Sequence, residues 1–211
     1  MAKSGRNLTV LTHPLATHWL SVLRDRRTRP QAFRAAAERL TEFLFWEASR
    51  DLCTLSIPVI TPLEKTSGWR VSDKPVVIPV LRAGLSMLSV FTDLLPEADV
   101  GYIGLARDET TAVANKYYEK FPPLKGRRVF VLDPMLATGG SAAHALELVL
   151  AKQPGPVTFV CVVAAPEGVK RLKKDCPSVG IVTAALDRKL NAKKYILPGL
   201  GDFGDRLYGT E

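Results

Sequence analysis

The chain has 211 residues, 46% of them hydrophobic and 24% charged. That length and apolar content support a buried core and exclude disorder, and no apolar run approaches the roughly 20 residues that span a bilayer. The formal net charge is +8 with a pI near 9.5. The basic residues are dispersed, apart from short runs at Arg24-Asp25-Arg26-Arg27, Lys170 to Lys174 and Lys193-Lys194, so a small polyanionic substrate is favoured over nucleic acid.

One domain over residues 1–211 is expected. Met1 to Gly5 carry no apolar signal region, and Cys53, Cys161 and Cys176 have no Cys-x-x-Cys spacing. A cytoplasmic protein with reduced thiols is therefore expected. His13, His18 and His144 are not clustered as metal ligands would be, and structural or surface roles are expected for them.

In chain order, residues 31–53 predict a helix, with Phe33, Ala37, Leu40, Phe43, Leu44 and Leu52 near a 3.6-residue period and Pro30 at its start. Residues 55–70 mix β-formers with Pro58, Pro62 and Gly68 and predict a short hairpin arm. Strands are expected at 76–81, 100–106, 129–132, 157–164 and 179–184, with helices at 85–95, 142–152 and 169–175. Strands alternating with helices, and continuously apolar strands, predict a mainly parallel α/β sheet covered on both faces. Residues 108–126 run polar and are expected to form a long loop, a candidate lid.

The chemistry concentrates at strand ends. Val129 to Leu132 lead into Asp133, Pro134, Met135, Leu136, Ala137, Thr138, Gly139, Gly140 and Ser141, and then into a helical pattern. A strand, a small-residue turn and a helix N-terminus make an anion site, because the loop amides and the helix dipole both favour negative charge. The glycines let the backbone approach a phosphate, the Thr138 and Ser141 hydroxyls can donate to it, and Asp133 can accept from a sugar diol. No lysine follows Gly140, and the Gly-x-Gly-x-x-Gly spacing is absent, so the ATPase and dinucleotide loops are excluded. Arg82, followed by Ala83 and Gly84, ends a second strand and can clamp an anion; Arg107 ends a third. The tail from Tyr195 to Arg206 holds Gly199, Gly201 and Gly204 with Asp202 and Asp205. It suits presentation of main-chain donors and acceptors to a planar ligand.

With Leu81-Arg82-Ala83-Gly84-Leu85, Arg107-Asp108-Glu109-Thr110, Asp133 to Ser141, Val163 to Gly168 and Tyr195 to Asp205 in place, and Thr12 to Leu15 and Leu23-Arg24-Asp25 upstream, the chain resembles the uracil phosphoribosyltransferases, within the type I phosphoribosyltransferases. The resemblance implies an α/β fold with a mainly parallel sheet flanked by helices and a small hood made by the termini and a hairpin arm. It implies UMP and diphosphate formation from uracil and phosphoribosyl pyrophosphate. Asp133, Asp202 and Arg107 become the expected catalytic residues. Arg82, Arg107, Asp202 and the run Asp133 to Ser141 are expected to bind phosphoribosyl pyrophosphate; Ile196, Gly201, Asp202 and Phe203 are expected to bind uracil.

Magnesium is implied as well, held mainly through the substrate and without a dedicated protein metal site, since Pro134 stands where a second acidic residue is common. A homodimer or higher homo-oligomer is implied. A GTP effector is compatible with the family, and no residue decides it. Ala112 to Lys116 depart from the family's proline-bearing loop, and Phe203 stands where a small residue is frequent, with a reshaped base pocket expected. Three alternatives stand beside this reading: a phosphoribosyltransferase for a purine or orotate, an RNA-binding pyrimidine regulator on the same fold, and a phosphate-binding structural protein.

Overall fold

The computed structural model describes residues 8–107 and 114–210. The elements, in chain order, are β1 (Thr9–Val10), α1 (Pro14–Arg24), α2 (Pro30–Ala48), β2 (Thr54–Ile60), β3 (Lys65–Val71), β4 (Val76–Leu81), α3 (Leu85–Leu94), β5 (Asp99–Val100), β6 (Tyr102–Arg107), β7 (Ala114–Lys120), β8 (Val129–Leu132), β9 (Met135–Leu136), α4 (Gly140–Leu150), β10 (Val157–Ala164), α5 (Pro166–Asp175), β11 (Gly180–Leu186), β12 (Lys189–Leu190), β13 (Ile196–Leu197) and α6 (Phe203–Tyr208).

The main sheet runs β1-β11-β10-β8-β4-β6-β7. Every pairing along it is parallel except β6 with β7, which is antiparallel. Side chains alternate across a pleated strand, and the two cores follow that alternation. Val77, Phe130, Leu132, Val160 and Val162 bury with Leu20, Phe33, Leu40, Phe91 and Phe203, from α1, α2, α3 and α6. Ile78, Val129, Val131, Phe159 and Cys161 bury on the opposite face with Ala142, Leu146, Val149 and Leu172, from α4 and α5. Being covered on both faces is what makes these strands continuous apolar runs.

The expected α/β fold is present, with corrections to individual elements; the tail, for which neither helix nor strand was expected, forms β13 and α6. The helix predicted over 31–53 ends at Ala48, because Ser49 leaves helical geometry and Leu52 joins the core from the following turn. A helix that was not expected, α1, precedes it; His13 caps this helix by accepting from the Leu15 N–H through Nδ1 at 3.2 Å. The polar run expected to be one long loop contains β7, paired with β6 from Tyr102↔Lys120 to Arg107↔Ala114. Residues 108–113 lie outside the described residues, as do the side chains of the whole departing segment Ala112 to Lys116.

The arm at β2–β3 forms as a seven-pair antiparallel hairpin. It leaves Leu55, Ile60, Leu63, Trp69 and Val71 exposed. Among the described residues, no helix is long and apolar enough to cross a membrane.

Candidate active site

The chain steps from β4 through α3 to β6 on one side, and from β8 through α4 to β10 on the other. The two connecting helices bury into opposite cores. The carboxyl ends of β4 and β8 therefore flank a topological switch point, where open α/β sheets leave a crevice for ligands. Arg82 follows β4 and Asp133 follows β8, so both stand at that crevice. Gly84 is required for this arrangement. A Cβ there would lie 2.3 Å from the Leu132 carbonyl oxygen and 2.7 Å from that of Val80, so only glycine lets the turn after Arg82 lie against the end of β8. The Leu81–Arg82 peptide is cis.

The Asp133 loop is built from its own backbone. Asp133 Oδ1 accepts from the Met135 N–H at 3.2 Å. The Pro134 carbonyl accepts from Val162 and Val163, and the Leu136 carbonyl from Ala165, which fastens the loop to β10. Gly139 caps α4 in the left-handed region at φ +79°, and the Thr138 hydroxyl accepts from the Gly140 N–H at 3.4 Å. The first-turn amides of α4 have no carbonyl within the helix to meet, and Ser141 and Ala142 of that turn line the crevice.

The C-terminal tail closes the other side. Leu197–Pro198 is cis, and Gly199 and Gly201 take φ of +61° and +84°. The Gly199 turn is clasped by charge. Asp187 accepts from the Gly199 N–H at 2.9 Å, and Arg24 donates to the Gly199 carbonyl at 2.9 Å. Arg206 donates to the Leu200 and Asp25 carbonyls at 2.6 and 2.7 Å, and to that of Leu23, and lies over the Phe33 ring. Asp202 caps α6, its Oδ1 accepting from the Asp205 N–H at 3.0 Å.

Loop and tail together enclose a cavity of about 820 Å³. Of the residues expected from sequence, Arg82, Asp133, Met135, Leu136, Ala137, Gly139, Ser141, Ile196, Gly201, Asp202 and Phe203 line it. Pro134, Thr138 and Gly140 do not: Pro134 is buried behind the loop, where its carbonyl serves β10, and the other two stand beside the lining. The Arg107 backbone ends β6 as expected, and its side chain lies outside the described residues. Phe203 differs from expectation. Its ring is 2% exposed and packs edge-on against Phe33 at 5.1 Å, so its bulk fills the core and not the cavity.

Sequence reasoning missed Lys193 and Lys194, which with Tyr195 line the cavity from the turn between β12 and β13. The paired lysines were visible but read as a solvated run. It also missed Arg24, Asp187 and Arg206 as the clasp of the tail. Arg82, Lys193 and Lys194 against Asp133 and Asp202 leave the lining net positive, which suits a polyanion.

This cavity joins the Asp133 loop, at a switch point of the sheet, to the glycine-rich C-terminal tail. The family model of uracil phosphoribosyltransferase matches residues 10–210. The chain belongs to the uracil phosphoribosyltransferase family. It is similar to the uracil phosphoribosyltransferase of Kineococcus radiotolerans, 49% identical over 96% of this chain and 99% of that protein. It is similar also to that of Corynebacterium diphtheriae, 46% identical over 96% of each. Among solved structures, the AQ2163 protein from Aquifex aeolicus superposes with a TM-score of 0.91 at 38% identity, over 97% of this chain and 99% of that one.

Proposed function

We propose that this chain, as one phosphoribosyltransferase domain over residues 1–211, joins uracil N1 to the anomeric carbon of phosphoribosyl pyrophosphate, releasing diphosphate and forming UMP. The observation that carries this reading is the single cavity shared by the Asp133 loop and the Gly201-Asp202 tail. A phosphate loop alone would serve any phosphoribosyltransferase; the tail supplies the base half.

In the reaction the anomeric C–O bond to diphosphate breaks, the C–N bond to uracil forms, and the N1 proton is lost. Displacement at an anomeric carbon passes through oxocarbenium character, so the protein must hold donor and acceptor in line and support the leaving group. The backbone from Ala137 to Ser141 cradles the 5′-phosphate at the α4 N-terminus. Asp133 accepts from the ribose hydroxyls. Arg82 faces the diphosphate, and Arg107 is assigned to the same group by its place in sequence at the end of β6. Uracil lies against Ile196, Gly201, Asp202 and Phe203 and is read by their backbone. Cytosine would place a donor where uracil has an acceptor, leaving buried groups unpaired.

Among the described residues no cluster of three or more His, Cys, Asp or Glu is arranged to hold a metal. Among the described residues, the cavity's carboxylates are those of Asp133 and Asp202. Such a sparse donor set fits magnesium, which keeps its waters and prefers substrate phosphate oxygens. Asp133 and Asp202 would steady it through water, and the ion would neutralise charge on the diphosphate. We further propose that the chain works as a homodimer or higher homo-oligomer. An isolated two-stranded hairpin is marginal in water, and the exposed Ile60, Leu63 and Trp69 of the β2–β3 arm supply an apolar surface for a second copy. A cytoplasmic location suits the three thiols outside any disulfide.

The test is direct. Protein, magnesium and phosphoribosyl pyrophosphate are mixed with each free base in turn. UMP from uracil, with little turnover of cytosine, hypoxanthine or orotate, is the expected result. Turnover of orotate or hypoxanthine and none of uracil would overturn the assignment. The same assay with and without GTP tests an effector.

A further inference from the structure

The Pro166-Glu167-Gly168 turn opens α5 and contributes no residue to the cavity, yet it touches both halves of it. On one side, the first turn of α5 presses against the phosphate loop. A Cβ on Gly168 would lie 2.6 Å from the Ala137 carbonyl oxygen and 2.9 Å from that of Leu136, and a Cβ on Gly139 would lie 3.0 Å from the Gly168 carbonyl oxygen. Just before it, Ala165 donates its N–H to the Leu136 carbonyl at 2.8 Å. On the other side, Glu167 Oε1 accepts from the Leu190 N–H at 3.0 Å. Leu190 belongs to the β12–β13 hairpin, in register with Ile196. That hairpin carries Lys193, Lys194, Tyr195 and Ile196 to the cavity, and its turn is tied by Asn191, whose Oδ1 accepts from the Tyr195 N–H at 2.9 Å.

We infer that Glu167 is a positioning residue for the base. Through Leu190 it straps the β12–β13 hairpin to α5, and the close seat that Gly168 allows α5 sets the base wall at a fixed offset from the phosphate loop. The N–H groups of Leu190 and of Glu167 itself, with the Lys194 cation a weaker cause, hold the Glu167 carboxyl below its ordinary range, so the strap is a charge-assisted bond at neutral pH. Glu167 acts on the substrate only through the hairpin. The inference rests on the base lying against Ile196.

The test compares Glu167→Ala with Glu167→Gln, because glutamine keeps the acceptor oxygen and loses only the charge. In Glu167→Ala, KM for uracil is expected to rise about fivefold, the effect of one ordinary hydrogen bond, while KM for phosphoribosyl pyrophosphate and Tm stay at parental values. In Glu167→Gln, both KM values and kcat stay near parental. Amide exchange at Leu190, read by mass spectrometry without turnover, is expected to accelerate in the alanine variant and not in the glutamine variant. Parental uracil KM in Glu167→Ala overturns the inference. So does a kcat loss in Glu167→Gln as large as in Glu167→Ala, which would make the carboxylate a participant in the chemistry, and so do equal rises in both KM values with a lower Tm, which would make it a general brace. Because Leu190 exchange is independent of activity, unchanged exchange removes the strap, whereas a parent enzyme that forms no UMP removes the functional reading.

Discussion

Arg24 grips Asp187 across 163 positions of sequence, its two terminal nitrogens 2.6 and 3.0 Å from the two carboxylate oxygens. The pair does more than join α1 to the end of β11. Both members also bond the Gly199 backbone, one to its carbonyl and one to its N–H. The turn that leads into the cavity-lining Gly201-Asp202 tail is therefore held by charge.

Asp187→Ala is expected to destabilise the protein by about 2–3 kcal/mol, because it leaves the Arg24 guanidinium and the Gly199 N–H without their acceptor in a largely desolvated place. The Asp187 side chain is 4% exposed and that of Arg24 24%, so water replaces the lost bonds only in part. Urea denaturation of parent and variant measures this. The uracil KM should rise at the same time, as the Gly199 turn loosens. A variant with the parental midpoint and parental uracil KM would remove the clasp from the account of the site.

Gly139→Ala should separate the loop's backbone requirement from its composition. Gly139 holds φ +79°, and its added Cβ would meet the Gly168 carbonyl oxygen and Arg171 Cβ at 3.0 Å each. A left-handed alanine costs about 1–2 kcal/mol, and α5 must give way as well. KM for phosphoribosyl pyrophosphate is expected to rise at least about tenfold, the equivalent of roughly 1.4 kcal/mol. Gly140→Ala is the control for stability. Its Cβ meets nothing nearer than Thr138 Oγ1 at 3.7 Å, so its denaturation midpoint should match the parent. Equal midpoints for the two variants would contradict the strain argument.

The division between what the sequence made legible and what it did not follows the physics of each segment. The Asp133 loop was legible because an apolar strand, two glycines and a helical stripe are all local signals, and burial on both faces wrote β4, β8 and β10 as unbroken apolar runs. The strand β7 was not legible. It is an edge strand whose Asn115, Lys116, Glu119 and Lys120 read as loop, and its one marker is Tyr117, which covers Gly104 on the neighbouring strand closely enough that a Cβ there would fall 2.5 Å from the ring. Helix α1 carried a readable signal in Pro14, with Ala16, Leu20 and Leu23 at helical spacing, and was passed over among polar neighbours. Phe203 was located correctly along the chain, but the direction of its ring depends on Phe33, 170 positions away, and no local pattern reports that. The clasp of Arg24 and Asp187 is hidden for the same reason.

The cysteines should differ sharply in reactivity. Burial pushes the Cys161 thiol up to about 12, and the nearby Asp133 charge adds to the effect; burial raises Cys176 as well. A raised thiol pKa leaves little thiolate, the reactive form, at pH 8. Cys53 is exposed. Maleimide at pH 8 should therefore label Cys53 quickly and label Cys161 and Cys176 only after unfolding, as read by peptide mass spectrometry. Native-state labelling of Cys161 at the rate of Cys53 would show that β10 opens far more readily than its burial implies.

Asp202 offers the sharpest test of how the tail works. Its Oδ1 caps α6 through the Asp205 N–H, and the same residue lines the cavity that Asp133 also lines. One carboxylate oxygen thus serves the fold, while the residue borders the cavity. Asparagine can keep the cap, because its side-chain oxygen accepts as well at an N-cap, but it removes the charge that could draw the uracil N1 proton or orient magnesium-bound water. Asp202→Asn is therefore expected to keep its denaturation midpoint within about 0.5 kcal/mol of the parent and to lose at least about tenfold in kcat, a loss of roughly 1.4 kcal/mol in transition-state stabilisation. Asp202→Ala should lose the same turnover and in addition about 1 kcal/mol of stability, from the missing cap. If Asp202→Asn turns over at the parental rate under saturating magnesium while Asp202→Ala is merely less stable, the carboxylate is a cap and nothing more, and uracil is then held and activated by the backbone of Ile196, Gly201 and Phe203 without it.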